Sequence, residues 1–146
     1  LLARLEEFDF NVEALKKEVD KISSKNKCDF FIDTRLIHNA GGSIVQELAS
    51  ALSFAKYSFE HLNPGESQIY FGVSCDSKYF LNISKLRALR YMWETTLENE
   101  SMSTETFKII SFNSLREQTL YDSSMNMLRN AVSTTAGFIG GADIIA

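Results

Sequence analysis

Histidine, amide, hydroxyl and arginine side chains that could bind an anion stand on two loops of the sequence. One loop follows a short apolar run at 29–33, and the other follows a second apolar run at 107–112. Arginine binds carboxylates and phosphates through its planar fork of donors. If both runs are strands of one parallel sheet, the loops leave it at the carboxyl edge, where α/β proteins bind ligands. We therefore predict a ligand-binding site made of His38, Asn39, Asn113, Ser114 and Arg116.

These side chains also have structural interpretations, which the sequence leaves open. Arg116 could pair with the adjacent Glu117 or with a neighbouring subunit, and His38 could be an ordinary loop or interface residue. The second histidine, His61, stands near a predicted helix end, where it would interact with the helix dipole or simply lie exposed.

Residue types for other chemistries occur, but not in recognisable sets. No Ser-His-Asp or Cys-His nucleophile set is discernible, and there is no Gly-x-Gly-x-x-Gly or Walker loop. Asp29, Asp33 and Asp143 flank apolar runs at irregular spacing, so we predict no metal site. Cys28 and Cys75 are too few for a disulfide framework. Reduced thiols indicate the cytosol or an organelle matrix, and we predict a cytoplasmic location.

The composition is that of an ordinary globular domain. The chain has 146 residues, of which 45% are hydrophobic and 23% charged, and we predict one domain over 1–146. Its net charge of −4 argues against a nucleic-acid or anionic-membrane partner. No apolar run reaches the roughly 18 residues that a membrane span requires. We therefore predict no nucleic acid and no membrane among the partners.

Apolar runs alternate with helical patterns along the chain. The runs start near 29, 68, 107 and 142, a repeat of 35 to 39 residues. Helical patterns lie at 12–22, 43–62 and 124–139, and between the second and third runs. The loops are predicted at 34–42 and 113–122, and Gly140-Gly141 ends the last helix as a C-cap.

This alternation predicts an α/β fold of about four β/α units with parallel strands. Four such strands form either an open sheet or half of an eight-stranded barrel, and the pattern alone does not separate the two. Either form leaves sheet edges exposed, so we also predict self-association.

Three basic residues lie on the helix that follows the second strand. Lys85, Arg87 and Arg90 could be taken for a phosphate-binding patch. However, helices lie outside the strands in this kind of fold, so we predict a solvated or interface face instead.

Four groups of motifs, taken together, match one known family. They are Gly41-Gly42-Ser43-Ile44-Val45-Gln46-Glu47-Leu48-Ala49, the segment 80–93 with its Ser-Lys-Leu-Arg-Ala-Leu-Arg core, Thr119-Leu120-Tyr121-Asp122 followed by Asn126-Met127-Leu128-Arg129, and Gly140-Gly141-Ala142-Asp143. These stretches resemble, in order, motifs of the methylmalonyl-CoA mutase family. The resemblance covers roughly 30–146 and is closest to the small, non-catalytic subunit of the heterodimeric bacterial enzyme.

The resemblance implies a partial TIM (β/α)8 barrel, part of the acyl-CoA mutase substrate domain. In that family the barrel holds a CoA thioester along its axis, and a separate domain holds adenosylcobalamin. The enzyme is an isomerase that interconverts methylmalonyl-CoA and succinyl-CoA, with the radical chemistry supplied by the cofactor. The implied partners are a catalytic large subunit and possibly an acyl-CoA, in propionate metabolism.

Departures from the family pattern indicate that this chain alone is not catalytic. Catalytic subunits carry His-x-Gln-Thr-Ser-Gly-Trp after the strand at 107–112. Here the histidine position falls at about Ile110, and Leu115-Arg116 replaces Gly-Trp. No Asp-x-His-x-x-Gly motif could ligate cobalt, so we expect no cobalamin-binding domain within 1–146. We predict no catalytic residue and no cofactor bound by this chain alone; adenosylcobalamin would belong to the parent complex.

Three functions are consistent with these observations. The first is a fragment of a small-subunit barrel that acts as a structural partner of the large subunit. The second is a barrel piece of an active acyl-CoA mutase, against which Ile110 argues. The third is a stand-alone acyl-CoA-binding module.

Overall fold

The computed structural model describes residue 17 and residues 29–62, 68–99 and 107–146, without the side chains of residues 61 and 62. Most of the helix predicted at 12–22 lies outside these residues; Lys17, the member that is described, is helical and exposed. The predicted role of the His61 side chain also lies outside the described part of the chain.

Within the described ranges, four strands alternate with helices, as the sequence pattern predicts. The elements are β1 (Phe30–Asp33), α1 (Arg35–Asn39), α2 (Ile44–Leu62), β2 (Ile69–Cys75), α3 (Tyr79–Asn99), β3 (Phe107–Asn113), a 3₁₀ turn (Leu115–Glu117), α4 (Ser123–Gly140) and β4 (Ile144–Ile145). The predicted loop at 34–42 is partly wrong, because five of its residues form α1. No glycine or proline lies within α1 to break the helix. The chain leaves the helical conformation at Gly41, whose φ of 96° lies in the left-handed region.

The strand order identifies the architecture. The sheet runs β1-β2-β3-β4, and every neighbouring pair is parallel. Consecutive parallel neighbours joined by right-handed crossovers place all helices on one face, which is barrel connectivity. A doubly wound open sheet would instead reverse its strand order at a switch point. The described sheet is therefore an unclosed, four-stranded part of a (β/α)8-type barrel, as the family resemblance implies.

A hydrophobic core lies between this sheet and the helices of the described residues. Alternate residues of β2, among them Phe71 and Val73, are fully buried because side chains of a strand point to opposite faces in turn. Helix α3 contributes Trp93, whose ring centroid lies 5.4 Å from that of Phe71. Helix α2 contributes Ala51 and Ala55, which are small enough to bring the helix close to the strands.

Helix α4 packs unusually close to β3 and ends on a predicted glycine. A Cβ atom on Gly137 would lie only 2.7 Å from the hydroxyl of Ser111 on β3. Gly141 follows the helix in a left-handed conformation with φ 87°, and its N–H bonds back to the Phe138 carbonyl at 3.2 Å. The predicted C-cap at Gly140-Gly141 is thus confirmed.

The face of the sheet opposite the helices is filled by aromatic side chains. The rings of Phe31 and Phe112 meet edge to face above Gly72, with centroids 6.4 Å apart. A Cβ atom at Gly72 would lie 2.5 Å from the Phe31 ring, so a larger residue there would displace that ring. The Arg35 guanidinium stacks on Phe112 at 3.9 Å and is held by Asp33 through two hydrogen bonds of 2.8 and 2.6 Å. This face therefore carries a half-buried aromatic pair with an ion pair beside it.

Candidate functional site

Buried polar side chains gather where the strands end. We call this group the carboxyl-edge cluster; its members are Thr34, His38, Glu47, Ser74, Lys85 and Ser114, none more than 3% exposed. Three of them stand at or just after the ends of β1, β2 and β3, and the others come from α1, α2 and α3. The cluster therefore joins the first three β/α units at one edge of the sheet.

A buried ion pair lies at the centre of the cluster. The Lys85 ammonium lies 3.0 Å from Glu47 Oε2, and both side chains are 1% exposed. Lys85 also donates to the Ser74 carbonyl, and Glu47 Oε1 accepts from the Ser74 N–H at 3.0 Å. The hydroxyl of Thr34, just after β1, lies 3.3 Å from Glu47 Oε1 and 2.9 Å from the Gly72 carbonyl, and its one proton can be donated to either oxygen. Both charges are thus paired and hydrogen-bonded, as burial requires.

The prediction that Lys85 belongs to a solvated face is wrong, and it overlooked Glu47 as its partner. A signal was present: Glu47 falls within the apolar stripe of α2 beside Leu48, and Lys85 falls beside Leu86 in the stripe of α3. A charge within a buried stripe indicates a buried partner. The other two basic residues of α3 lie at its surface: Arg87 donates to the Ile139 carbonyl, and Arg90 pairs with Asp143 at 2.8 Å.

His38 and Ser114, two of the predicted ligand residues, bind each other. His38 Nε2 and Ser114 Oγ share a hydrogen bond of 2.7 Å. Burial lowers the pKa of His38, and the charges of Arg116 and Lys85 lower it further, against the opposing effect of Glu47. The imidazole is therefore neutral at neutral pH.

Ser114, His38 and Glu47 follow one another in the order of a nucleophile triad, but their geometry differs from one. His38 Nδ1 lies 3.9 Å from Glu47 Oε2, beyond hydrogen-bond distance, and that oxygen is already paired with Lys85. Ser114 is only 3% exposed. The arrangement stabilises the loops and offers no accessible nucleophile.

The remaining predicted residues lie at the surface of the same edge. Arg116 is exposed and donates to the His38 carbonyl at 2.9 Å. The suggested partner Glu117 instead accepts from the Ser77 N–H at 2.7 Å. Asn113 accepts from Thr134 on α4 at 3.3 Å.

Two clefts open beside the cluster. The larger, of about 480 Å³, is lined by Asp33, Arg35, Leu36, Asn39, Ser74, Phe112, Asn113, Leu115 and Ala146. The smaller, of about 300 Å³, is lined by His38, Gly42, Ser43, Ile44, Val45, Asp76, Lys78, Asn82, Lys85 and Arg116. The structure thus brings the five predicted residues to one edge but divides their side chains between two clefts and an internal network.

The smaller cleft carries charges of both signs. Burial raises the pKa of Asp76, but hydrogen bonds from the Lys78 N–H and the Asn82 amide outweigh it, so the pKa lies below its usual value. The Lys78 ammonium stands 3.6 Å from the same carboxylate. An anion entering this cleft would meet Arg116 but also a fixed negative charge.

Neither a metal cluster nor a membrane-crossing helix occurs in the described part of the chain. No group of three or more His, Cys, Asp or Glu residues there is placed to hold a metal ion. No helix in the same ranges is long and apolar enough to cross a bilayer.

Burial raises the pKa of the Cys75 thiol, which therefore stays protonated.

Comparison with known proteins identifies the family. Residues 18–146 match the family model described as methylmalonyl-CoA mutase. The chain belongs to the methylmalonyl-CoA mutase family. Its similar relatives include the methylmalonyl-CoA mutase small subunit of Porphyromonas gingivalis, 32% identical over 75% of this chain and 19% of that protein. The small subunit of Propionibacterium freudenreichii subsp. shermanii is 32% identical over 78% of this chain and 19% of that protein.

A probable methylmalonyl-CoA mutase small subunit of Mycobacterium bovis is 27% identical over 78% of this chain and 20% of that protein. The chain therefore spans about a fifth of the length of the relatives it matches. These relatives confirm the resemblance to the family's small subunit.

The buried ion pair makes a stability prediction. Glu47→Gln keeps the shape of the side chain but leaves the Lys85 charge buried without a counter-charge. We expect the free energy of unfolding to fall by about 3–5 kcal/mol, measured by urea denaturation. The double variant Glu47→Gln, Lys85→Met should be more stable than the single one, because no lone charge remains. A single variant within about 1 kcal/mol of the wild type would contradict this role.

The lowered pKa of His38 predicts a dependence of stability on pH. The unfolded chain takes up a proton near the usual histidine pKa of about 6.5, whereas the folded chain does so only at lower pH. The stability that neutral His38 contributes is therefore fully present above about pH 6.5, the unfolded-state pKa, and is lost as the pH falls from there toward the lower pKa of the folded state. In urea denaturation, the difference in stability between wild type and His38→Gln should shrink from pH 7 to pH 5. If the difference in stability between the two proteins stayed constant from pH 7 to pH 5, the lowered pKa of His38 would be refuted.

Proposed function

We propose that this chain is part of a non-catalytic barrel that acts as the structural partner of a catalytic, cobalamin-binding large subunit. The complex would interconvert methylmalonyl-CoA and succinyl-CoA, as cytoplasmic propionate metabolism requires. The observation that carries the proposal is the carboxyl-edge cluster, in which Glu47 is paired with Lys85 and His38 with Ser114, and in which none of these side chains is more than 3% exposed. General acids and bases must face a substrate to act. The relatives' designation as small subunits supports the same role.

The face of the sheet opposite the helices also supports a structural role for this chain. In a closed barrel this face would line the axis, where the family resemblance places the CoA thioester. Here Phe31 and Phe112 pack over Gly72, and Arg35 covers them. A thioester bound along that axis would meet these two aromatic side chains, which pack against each other.

Ile110 also supports a structural, non-catalytic role for this chain. The residue is half-buried on β3, in register with Gly72 of β2 and Ile144 of β4. The resemblance implies a histidine at about this position in catalytic subunits. An aliphatic side chain can neither donate a hydrogen bond nor transfer a proton.

The described side chains do not fit a cobalamin ligand. Among them the available imidazole is that of His38, which is 3% exposed and held by Ser114. Reaching a corrin would require this hydrogen bond to break and α1 to move. Adenosylcobalamin is therefore assigned to the companion subunit in this proposal.

The natural polypeptide that carries this sequence, purified with and without the catalytic large subunit, tests the proposal. We expect no mutase turnover with adenosylcobalamin from the polypeptide alone, and a stable complex with turnover when the large subunit is added. Turnover by the polypeptide alone would favour the alternative of an active mutase barrel. An absence of complex formation would remove the partner role.

A second candidate is acyl-CoA binding, which the two clefts favour. Arg116 borders the smaller cleft, and Asn39 and Asn113 border the larger one. We propose these three as the direct ligand contacts, with His38 and Ser114 fixing the loops behind them. Calorimetric titration with methylmalonyl-CoA should show binding that Arg116→Ala weakens about tenfold, the value of one charge-assisted contact. Heat no greater than that of dilution would exclude this candidate.

A further inference from the structure

One buried hydrogen bond joins the first β/α unit to the third. His38 stands on α1, and Ser114 directly precedes the 3₁₀ turn that follows β3. Their side chains share a hydrogen bond of 2.7 Å. The guanidinium of Arg116, on the turn itself, donates to the His38 carbonyl at 2.9 Å. Both of these contacts between α1 and the turn thus depend on the position of one residue, His38.

These contacts form the wall between the two clefts at the carboxyl edge. Along α1, Asn39 lines the larger cleft, whereas its neighbour His38 lines the smaller one. Along the turn, Leu115 lines the larger cleft, whereas Arg116 lines the smaller one. If α1 separated from the turn, the wall would be lost and each cleft would open into the other.

The His38 imidazole faces charged groups that come from several other elements. Glu47 on α2 and Asp76 after β2 are negative, and Lys85 on α3 and Arg116 on the turn are positive. These four charges balance one another while the imidazole is neutral. A proton on His38 would therefore add a positive charge that this group of residues does not compensate.

Both carboxylates near the imidazole already have other cationic or N–H partners. Glu47 Oε2 lies 3.0 Å from the Lys85 ammonium but 3.9 Å from His38 Nδ1, which is beyond hydrogen-bond distance. Asp76 accepts from the Lys78 N–H at 2.9 Å, and its other oxygen lies 3.6 Å from the Lys78 ammonium. A buried charge without a close counter-charge is costly, so the protonated imidazole is more stable in water than in the closed cluster.

We propose that the hydrogen bond between His38 and Ser114 is a proton-sensitive latch. In mildly acidic solution the imidazole takes up one proton and turns toward water, which releases α1 from the 3₁₀ turn and removes the wall between the clefts. The latch goes beyond the proposed function and does not rest on it, because its opening requires neither a large subunit nor a ligand.

Hydrogen–deuterium exchange of the natural polypeptide at pH 7.5 and pH 5.5, followed by mass spectrometry, tests the latch. The reporter is the segment 36–42, in which the N–H groups of Ala40, Gly41 and Gly42 bond to carbonyls of α1. The open form takes up a proton below the usual histidine pKa of about 6.5. The protection factor of this segment, corrected for the intrinsic exchange rate, should therefore fall about 3- to 10-fold from pH 7.5 to pH 5.5.

The strand β2 provides the reference for global unfolding. Its segment at 69–75 lies in the core, and most of its residues are buried. Because the latch opens locally, the segment 36–42 should exchange faster than β2 at both pH values. Retained protection of β2 also shows that a variant is folded.

Two variants separate the proton from the hydrogen bond. His38→Gln is the matched control, because its side-chain amide can still bond to Ser114 but does not titrate. Its protection factor at 36–42 should change by less than about twofold between the two pH values. Ser114→Ala removes the latch at every pH, so the segment should be about 2- to 10-fold less protected already at pH 7.5, the effect of one hydrogen bond.

Three results would overturn the latch. An equal loss of protection in the wild type and in His38→Gln would assign the effect to other titrating groups. A segment 36–42 that exchanges as slowly as β2 would show that α1 is released only by global unfolding. A wild-type protection factor that is the same at both pH values would show that the closed structure keeps His38 neutral or tolerates its charge.

Discussion

The ion pair between Glu47 and Lys85 links most of the polar structure at the carboxyl edge. Removing two charges from water is expensive, and the cost is offset only when each charge has close partners. Here the partners are supplied by backbone and hydroxyl groups at the ends of β1 and β2. The pair therefore fixes where α2 and α3 stand relative to the strands, because neither helix can slide along the sheet without exposing a charge to an apolar neighbour.

Much of the backbone was predictable because its signals are local. A capping box is present at the start of α2, between two residues three positions apart: the Ser43 N–H donates to the Gln46 side chain at 2.8 Å, and the Gln46 N–H donates to the Ser43 hydroxyl at 3.3 Å. The glycine at the end of α4 and the four strands could likewise be predicted from residues adjacent in sequence. Local sequence signals could not distinguish an open sheet from a barrel, because that distinction depends on which strands become neighbours.

The candidate site was predictable in position but not in connectivity. Topology alone places the five predicted residues at one edge, because the loops that carry them follow strands of one parallel sheet. Which atoms bond there depends on distances between side chains more than 70 residues apart, as for His38 and Ser114. Periodicity carries no information on such pairs. Two of the residues predicted to contact a ligand, His38 and Ser114, therefore bind each other instead. The charged pair of the cluster, Glu47 and Lys85, was not part of the predicted site.

The uniform spacing of the strands has a consequence for how the chain folds. Paired residues are 39 apart between β1 and β2 (Phe30↔Ile69), 38 apart between β2 and β3 (Ile69↔Phe107) and 34 apart between β3 and β4 (Ile110↔Ile144). The entropy lost on closing a loop grows only with the logarithm of its length, so each new strand meets nearly the same kinetic barrier as the one before. The sheet can thus grow strand by strand from any nucleus, and only joining the first strand of a complete barrel to its last would require contact between distant parts of the sequence.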